Sequence, residues 1–385
     1  MQNFEFYNPT RIVFGQNKIA ELSRLVPQNA KVLILFGGAS AEKNGTLAEV
    51  RAALSQHEVQ EFGGIEPNPT YETLMKAVEL IRSEKLDFLL AVGGGSVIDG
   101  TKFIAAAVNF IGEPWDILTT HGAVVKQAIP FGTVLTLPAT GSEMNEGAVI
   151  TRQSTLTKLA FMSEHVFPQF SILDPTKTYT LPKRQVANGV VDAYVHIMEQ
   201  YLTYPVDGRV QDRFAESLLL TLIEIGPKVL AQPEDYDLRA NLMWVATLAL
   251  NGLIGAGVPQ DWATHMIGHE LTAAYDIDHA RTLAIVLPSM LSIRRTEKRD
   301  KLLQYAERVW QITSGSDDER IDQAIAKTRA FFESLEVPTR LSAYTLGQDA
   351  VHHVVKQLET NGMVKLGEKK NVTLDVSQRV LEASL

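Results

Sequence analysis

Asp192 and His196 stand four residues apart in ANGVVDAYVHIMEQY, and DWATHMIGHELTAAYDIDHA downstream carries His265, His269 and His279. A helix brings positions i and i+4 onto one face, so a carboxylate and an imidazole at that spacing can grip one metal ion. Two further imidazoles from another helical segment would complete a site of one carboxylate and three histidines. Which two is open at this level. His265 and His269 form a second i, i+4 pair. On an unbroken helix rising about 1.5 Å per residue, His265 and His279 would lie roughly 21 Å apart. Sharing an ion then requires a turn between them, and TAAYDIDHA offers Asp276 and Asp278 as turn residues. A lone His196 would read as a hydrogen-bonded core histidine. The neighbouring carboxylate, which needs a positive partner when buried, favours a ligand. The remaining histidines, His57, His121, His165, His352 and His353, show no comparable pattern and read as surface residues.

Upstream, DFLLAVGGGSVID reads as a buried strand, a glycine turn and a helix start, an arrangement that cradles a diphosphate. Gly93, Gly94 and Gly95 let the backbone turn sharply and approach a ligand closely. Ser96 would begin the helix, whose backbone N–H groups and positive dipole end suit a diphosphate. The spacing is not GxGxxG. A plain strand-to-helix turn with Ser96 and Asp99 as a capping box is the structural alternative, and it is compatible with phosphate binding. After the first strand, LFGGASAEKNG holds Gly37, Gly38, Ala39 and Ser40 where NAD-selective proteins place an acid against the ribose 2′-hydroxyl. Lys43 there can meet a 2′-phosphate, which favours NADP, although Glu42 is close and Lys43 reads equally as solvated surface. After a third strand, TLPATGSEMN places Thr136, Thr140, Ser142 and Asn145 beyond a strand's carboxyl end, where open α/β sheets bind ligands. Such a stretch also serves as a capped loop. A divalent metal together with a dinucleotide implies hydride transfer to or from a metal-polarised oxygen.

The elements that must position these residues fall into two kinds. KVLILF, DFLLAV and TVLTLP are short and uniformly apolar, as buried strands are, and NPTYETLMKAVELIRSEK carries Leu74, Val78 and Ile81 at helical spacing. Alternation of this sort predicts βαβ units and a mostly parallel sheet. Beyond LDPTKTYTLPKR, punctuated by Pro175 and Pro182, the patterns are helical: FAESLLLTLIEIGPKVL, YDLRANLMWVATLALNGL and RDKLLQYAERVWQI. The expected organisation is an α/β dinucleotide-binding domain over residues 1–181 and an all-α metal-binding domain over residues 182–385. A chain of 385 residues accommodates two such cores. Hydrophobic residues make up 45% and charged residues 21%, which is ordinary globular composition, and no apolar run approaches the roughly 20 residues of a membrane span. A net charge of −9 without a strong basic run argues against a nucleic-acid partner. Cysteine is absent, so any metal must be held by nitrogen and oxygen. The start, MQNFEFYNPTRIVFG, has no secretory pattern, and a cytoplasmic protein is expected.

Taken together, GGGSVIDGTK, LPATGSE, LDP followed by TLP, DAYVH, HMIGHEL and DHARTLAIVLP occur in the order found in the iron-containing (group III) alcohol dehydrogenase family. The chain resembles that family over nearly its whole length, close to its bacterial NADPH-dependent aldehyde reductase branch, itself similar to butanol dehydrogenases. The resemblance implies a dehydroquinate synthase-like architecture. It also implies Asp192, His196, His265 and His279 as ligands of one divalent metal, Zn2+ or Fe2+, with His269 facing nicotinamide and substrate. It assigns the GGGS turn to the diphosphate of NADP(H) and Gly38–Ser40 to the adenosine side. Thr136, Thr140, Asn145, Lys158 and Tyr179 become cofactor contacts by position. The implied activity is interconversion of short- to medium-chain aldehydes and primary alcohols, with His269 or a water chain as proton donor. The rivals within the same architecture are an NAD-linked polyol dehydrogenase and a cyclase, which typically use three protein ligands, so that His196 discriminates. One departure is ANGVVDAYVH, where much of the family has a Thr-Gly-Met lead-in. It leaves the ligands intact and puts the shape of the substrate pocket in question. Trp262, Leu253 and Ile254 are apolar candidates to line that pocket. FEFYN and RIVFG read as strands that pair either across a homodimer, as in the family, or as an intramolecular edge hairpin.

Overall fold

VLILF, after the half-buried Lys31, and FLLAVGG are apolar throughout because they lie in the middle of a sheet covered on both faces. In the computed structural model, which describes residues 1–155 and 157–385, residues 7–182 and 233–247 form one compact unit. Its strands are β1 (Arg11–Phe14), β2 (Lys31–Phe36), β3 (Glu58–Phe62), β4 (Phe88–Gly94), β5 (Phe131–Leu137) and β8 (Phe170–Leu173), in the order β1-β8-β5-β4-β2-β3. Every pairing is parallel. Between β5 and β8 the chain adds an antiparallel ribbon of β6 (Gly147–Arg152) and β7 (Thr157–Met162).

The alternation within the strands separates two cores. Leu33, Leu35, Leu89 and Ala91 join a cluster with Leu74, Val78 and Ile81 of helix α1 (Tyr71–Glu84). Val32, Ile34, Leu90 and Val92 join another with Leu22, Leu47 and Val50. Each strand residue points to the face opposite its neighbour, which a period of two requires. Truncating a fully buried one such as Leu33 to Ala would cost roughly 2–5 kcal/mol. Helix α2 (Gly95–Ala107) follows β4 directly and buries most of its length, so the glycine turn between them is fixed from both sides.

RIVF does form a strand, but not a hairpin: it pairs in parallel with β8, Ile12 opposite Ser171. FEFYN forms no strand. Pro9, lacking an N–H, ends any ladder there.

The second unit comprises residues 1–6, 183–232 and 248–385. Its helices include α3 (Lys183–Tyr201), α4 (Arg209–Ala231), α6 (Ala263–Tyr275) and α7 (His279–Ile293), while α5 (Tyr236–Ala249) contributes Met243 to the sheet core of the first unit. Further helices run over Arg299–Arg308, Asp317–Ser334, Gln348–Thr360 and Leu374–Glu382. One short ribbon, Lys365–Leu366 against Val372–Thr373, interrupts the helical pattern. Helix α3 is buried almost continuously from Val186 to Tyr201, so its Asp192, His196, Glu199 and Gln200 are polar groups in a helical core.

The chain turns between α6 and α7. Asp276 takes a left-handed conformation, φ 52°, ending α6. Asp278 then accepts hydrogen bonds from Arg184 Nε and Asn188 Nδ2, both at 2.7 Å, which fastens the turn to α3. Among the described residues, no helix is long and apolar enough to cross a membrane.

Candidate metal centre and nucleotide cradle

In the helical unit the turn brings His279 back beside α3. Asp192, His265 and His279 each offer one ligand atom within 4.8 Å of the others, and this is the one such group among the described residues. Asp192 Oδ1 lies 3.6 Å from His279 Nε2 and 3.9 Å from His196 Nε2. The His196 ring stacks on His265 at 4.6 Å between centroids. His196 and His269 both fall outside this three-residue group, the His269 ring, one turn along α6, lying 6.1 Å from that of His265 and 5.0 Å from that of His279. Burial holds the His196 imidazole down to about 4, against Asp192, which raises it, so the ring is neutral and keeps a lone pair for a cation. The His279 side chain is 24% exposed while Asp192, His196 and His265 are buried, so the cluster opens toward solvent on one side. Three imidazoles and one carboxylate in this arrangement fit a divalent first-row metal.

Of the apolar candidates, Trp262 stands by the imidazoles, 5.3 Å from the His265 ring. Ile254 instead lines a separate polar cleft of about 540 Å³ with Tyr204, Arg209 and Lys301. Leu253 is half-buried outside that lining. His121, His165, His352 and His353 are exposed, and His57 is half-buried.

Sequence reasoning missed Glu199. It is buried on α3 at the helical spacing Asp192, His196, Glu199, which was the available signal. One carboxylate oxygen, Oε1, accepts from the backbone N–H of Thr264 at 2.6 Å and of His265 at 3.4 Å, and Oε2 contacts His265 Nδ1. These N–H groups belong to the first turn of α6, which has no internal partner for them, and Trp262 at the cap position supplies no side-chain bond. Asp261 takes the remaining first-turn donor, Ala263 N, at 2.8 Å, and its other oxygen receives Lys298 Nζ at 2.6 Å. Burial alone would raise the Asp261 carboxyl, but Lys298 holds it below its ordinary value.

In the sheet unit the glycines are set by close packing. A Cβ on Gly93 would meet Val97 Cγ2 at 2.5 Å, and one on Gly95 would meet Thr140 Oγ1 at 2.4 Å. Gly94 approaches Leu137 Cβ at 3.0 Å on the same basis, and Gly37 approaches the Ile65 carbonyl at 3.1 Å. Gly38 has open space around it, and Gly38, Ser40 and Lys43 are exposed. Helix α2 starts at Gly95, with Gly94 as its cap residue and no side-chain cap bond, so Ser96 lies inside the first turn. The alternative for this turn, a Ser96–Asp99 capping box, does not form. Asp99 turns instead to the loop after β5 and to β6, accepting from Ser142 Oγ at 2.6 Å and from Val149 N at 2.9 Å. Two well-aligned donors there outcompete the helix's own N–H groups. Thr140 Oγ1 accepts from Ser142 N, Thr136 is buried at the end of β5, and Asn145 donates to the Gly141 carbonyl while accepting from Gly147 N. Lys158 on β7 donates to Asn68 Oδ1 at 2.9 Å, and Tyr179 closes the short helix after β8. Glu42, the acid near the first glycine pair, is engaged by Arg51, which also binds Glu61. A strand, a tight glycine turn and a buried helix start, with room at Gly38, fit a dinucleotide.

Residues 9–175 match the family profile of the iron-containing alcohol dehydrogenases, and residues 186–375 match the C-terminal profile of the same family. The chain belongs to the iron-containing alcohol dehydrogenase family. It is 64% identical over 386 residues to the NADPH-dependent aldehyde reductase YqhD of Escherichia coli K12, covering all of both chains. It is 42% identical over 390 residues to the probable NADH-dependent butanol dehydrogenase 1 of Bacillus subtilis 168, again over the full length of both. Among solved structures, the substrate- and cofactor-free form of the E. coli aldehyde reductase superposes with a TM-score of 0.95 at 62% identity over the whole of both chains. The NADH-dependent butanol dehydrogenase A of Thermotoga maritima gives 0.95 at 33% identity, covering 100% of this chain and 99% of the other.

Proposed function

We propose that this protein is a metal-dependent, NADPH-linked aldehyde reductase that interconverts short- to medium-chain aldehydes and primary alcohols. The observation that carries the reading is the convergence of Asp192, His265 and His279, with His196 against them, in a chain so similar to an NADPH-dependent aldehyde reductase. Asp192, His196, His265 and His279 hold the metal. Gly93, Gly94, Gly95 and the first turn of α2, with Ser96, receive the cofactor diphosphate. Thr136, Thr140, Asn145, Lys158 and Tyr179 border the cofactor, and Asp99 anchors the loop that carries two of them, Thr140 and Asn145. Gly37, Gly38, Ser40 and Lys43 take the adenosine end, where the space at Gly38 and the capture of Glu42 by Arg51 favour a 2′-phosphate over a bare ribose.

When bound, the metal supplies Lewis acidity toward the carbonyl oxygen and NADPH supplies the hydride. The chain's own work is positional. The buried His196 imidazole stays neutral, the partly exposed His279 side leaves an approach for the aldehyde, and Trp262 stands against the His265 ring. His269, or a water chain, hands a proton to the substrate oxygen as the carbonyl becomes the alcohol. Nitrogen and oxygen donors in this set accept zinc and iron(II) alike. A homodimer is supported by β1, whose outer edge is unpaired in the sheet and whose Phe14 is exposed beside Trp244. The use of an intracellular reductant supports a cytoplasmic setting.

The test is oxidation of NADPH, with NADH in parallel, by metal-stripped protein reloaded with zinc or iron, using butanal. Metal-dependent turnover that prefers NADPH is expected. No aldehyde-dependent turnover with either metal and either cofactor would overturn the reading in favour of a polyol dehydrogenase or cyclase.

A further inference from the structure

We propose that Glu199 is a positioning residue that sets the tautomer and orientation of the His265 imidazole, presenting Nε2 as the ligating nitrogen; this rests on the ligand assignment above. Glu199 Oε2 contacts His265 Nδ1, and His265 Nε2, on the far side of the ring, is buried. An imidazole ligates through the nitrogen without a proton, so a carboxylate that accepts Nδ1–H leaves the lone pair on Nε2. The carboxylate is itself immobilised. It sits on the buried helix α3, and Oε1 is occupied by the Thr264 and His265 backbone N–H groups. The same residue therefore fixes the start of α6 and the ring that projects from its first turn.

The chemistry demands a carboxylate at this position. Both oxygens face N–H donors, so a carboxamide must turn its NH2 either toward the Thr264 N–H or toward the Nδ1 proton. Glutamine preserves shape and volume but cannot satisfy both sides. A cap alone does not account for the arrangement, because Asp261 already takes Ala263 N at the same helix end without touching the ring.

The experiment compares Glu199→Gln and Asp261→Asn with wild type by chelator competition for zinc, by visible absorption of the cobalt(II)-loaded proteins and by melting of the metal-free proteins. Positioning predicts that E199Q loses about 10–100-fold in zinc affinity and changes its cobalt bands, and that D261N lowers the melting temperature with wild-type bands. If E199Q lowers only the melting temperature, with zinc affinity and cobalt bands unchanged, Glu199 is merely a cap and the proposal fails. Histidine-15N spectra of zinc-loaded wild type provide a readout that needs no variant. A protected Nδ1 proton on His265 supports the proposal, and metal on Nδ1 or a freely exchanging proton overturns it. His265→Ala serves as the separate control: wild-type zinc affinity there would unseat the ligand assignment itself rather than the role of Glu199.

Discussion

Lys102 Nζ lies 2.8 Å from Asn145 Oδ1 and 2.8 Å from the Gly147 carbonyl, with its side chain closed off from solvent. An ammonium deep inside the sheet unit thus braces the loop after β5 against α2, and burial pushes it down to about 8 although Asp99 pulls the other way. The folded state consequently binds fewer protons than the unfolded chain between about 8 and the ordinary lysine value of 10.5. Stability gains from this group as pH rises through that window, by up to about 1.4 kcal/mol per pH unit, and the offset is constant below it. Lys102→Met should remove this rising contribution, which urea unfolding of both proteins at several pH values from 7 to 10.5 would measure as a difference in slope.

Asp192→Asn and His196→Ala should each lower zinc affinity. The loss for Asp192→Asn should exceed the ~10–100-fold typical of an outer-sphere partner, since a charged ligand is removed. Full metal content in His196→Ala would weaken the four-ligand assignment and favour a three-ligand site. Metal analysis after dialysis against a chelator decides both.

Gly95→Ala should weaken NADPH binding by tenfold or more. Its Cβ would meet Thr140 Oγ1 at 2.4 Å, and relieving such overpacking costs roughly 1–3 kcal/mol in displacement of the helix start or the facing loop. Fluorescence titration of NADPH gives the change directly, and the zinc affinity of the variant should match wild type.

Arg51→Ala should move the NADPH-to-NADH preference toward NADH by roughly two- to fivefold, the size expected of an exposed charge pair. Arg51 now engages Glu42, whose carboxyl it holds below the usual range, and without it Glu42 is left to repel a 2′-phosphate or to receive a ribose hydroxyl. The ratio of kcat/KM values for the two cofactors is the readout.

Much of this molecule is legible in its sequence because the relevant signals are local. The uniform apolarity of VLILF and FLLAVGG marks a sheet covered on both sides, and the spacing of Leu74, Val78 and Ile81 marks the helix against it. The i, i+4 relation of Asp192 and His196 is equally local. The missed features depend on long-range geometry. Nothing in RIVF specifies Phe170–Leu173 as its partner, and YDLRANLMWVATLA announces a helix without saying that Met243 joins the sheet core. Spacing alone does not choose between His269 and His279, because the choice turns on the angle of a three-residue connection. Asp99 follows the same rule: its spacing from Ser96 suggests a local cap, whereas its partners lie 43 and 50 positions away.

The tether of Asp278 to α3 has a consequence for how the helical unit comes together. Asn188 and Asp278 are 90 positions apart, and Glu199 and His265 are 66 apart, so the ligand cluster exists only after two long loops have closed. Loop closure of that kind is costly to begin and only slowly more so with length. The cluster forms only once those closures are made, and an ion captured there would fasten shut a stretch of chain much as a cross-link does. Its presence would be felt in the order in which helices assemble as well as in the chemistry they support.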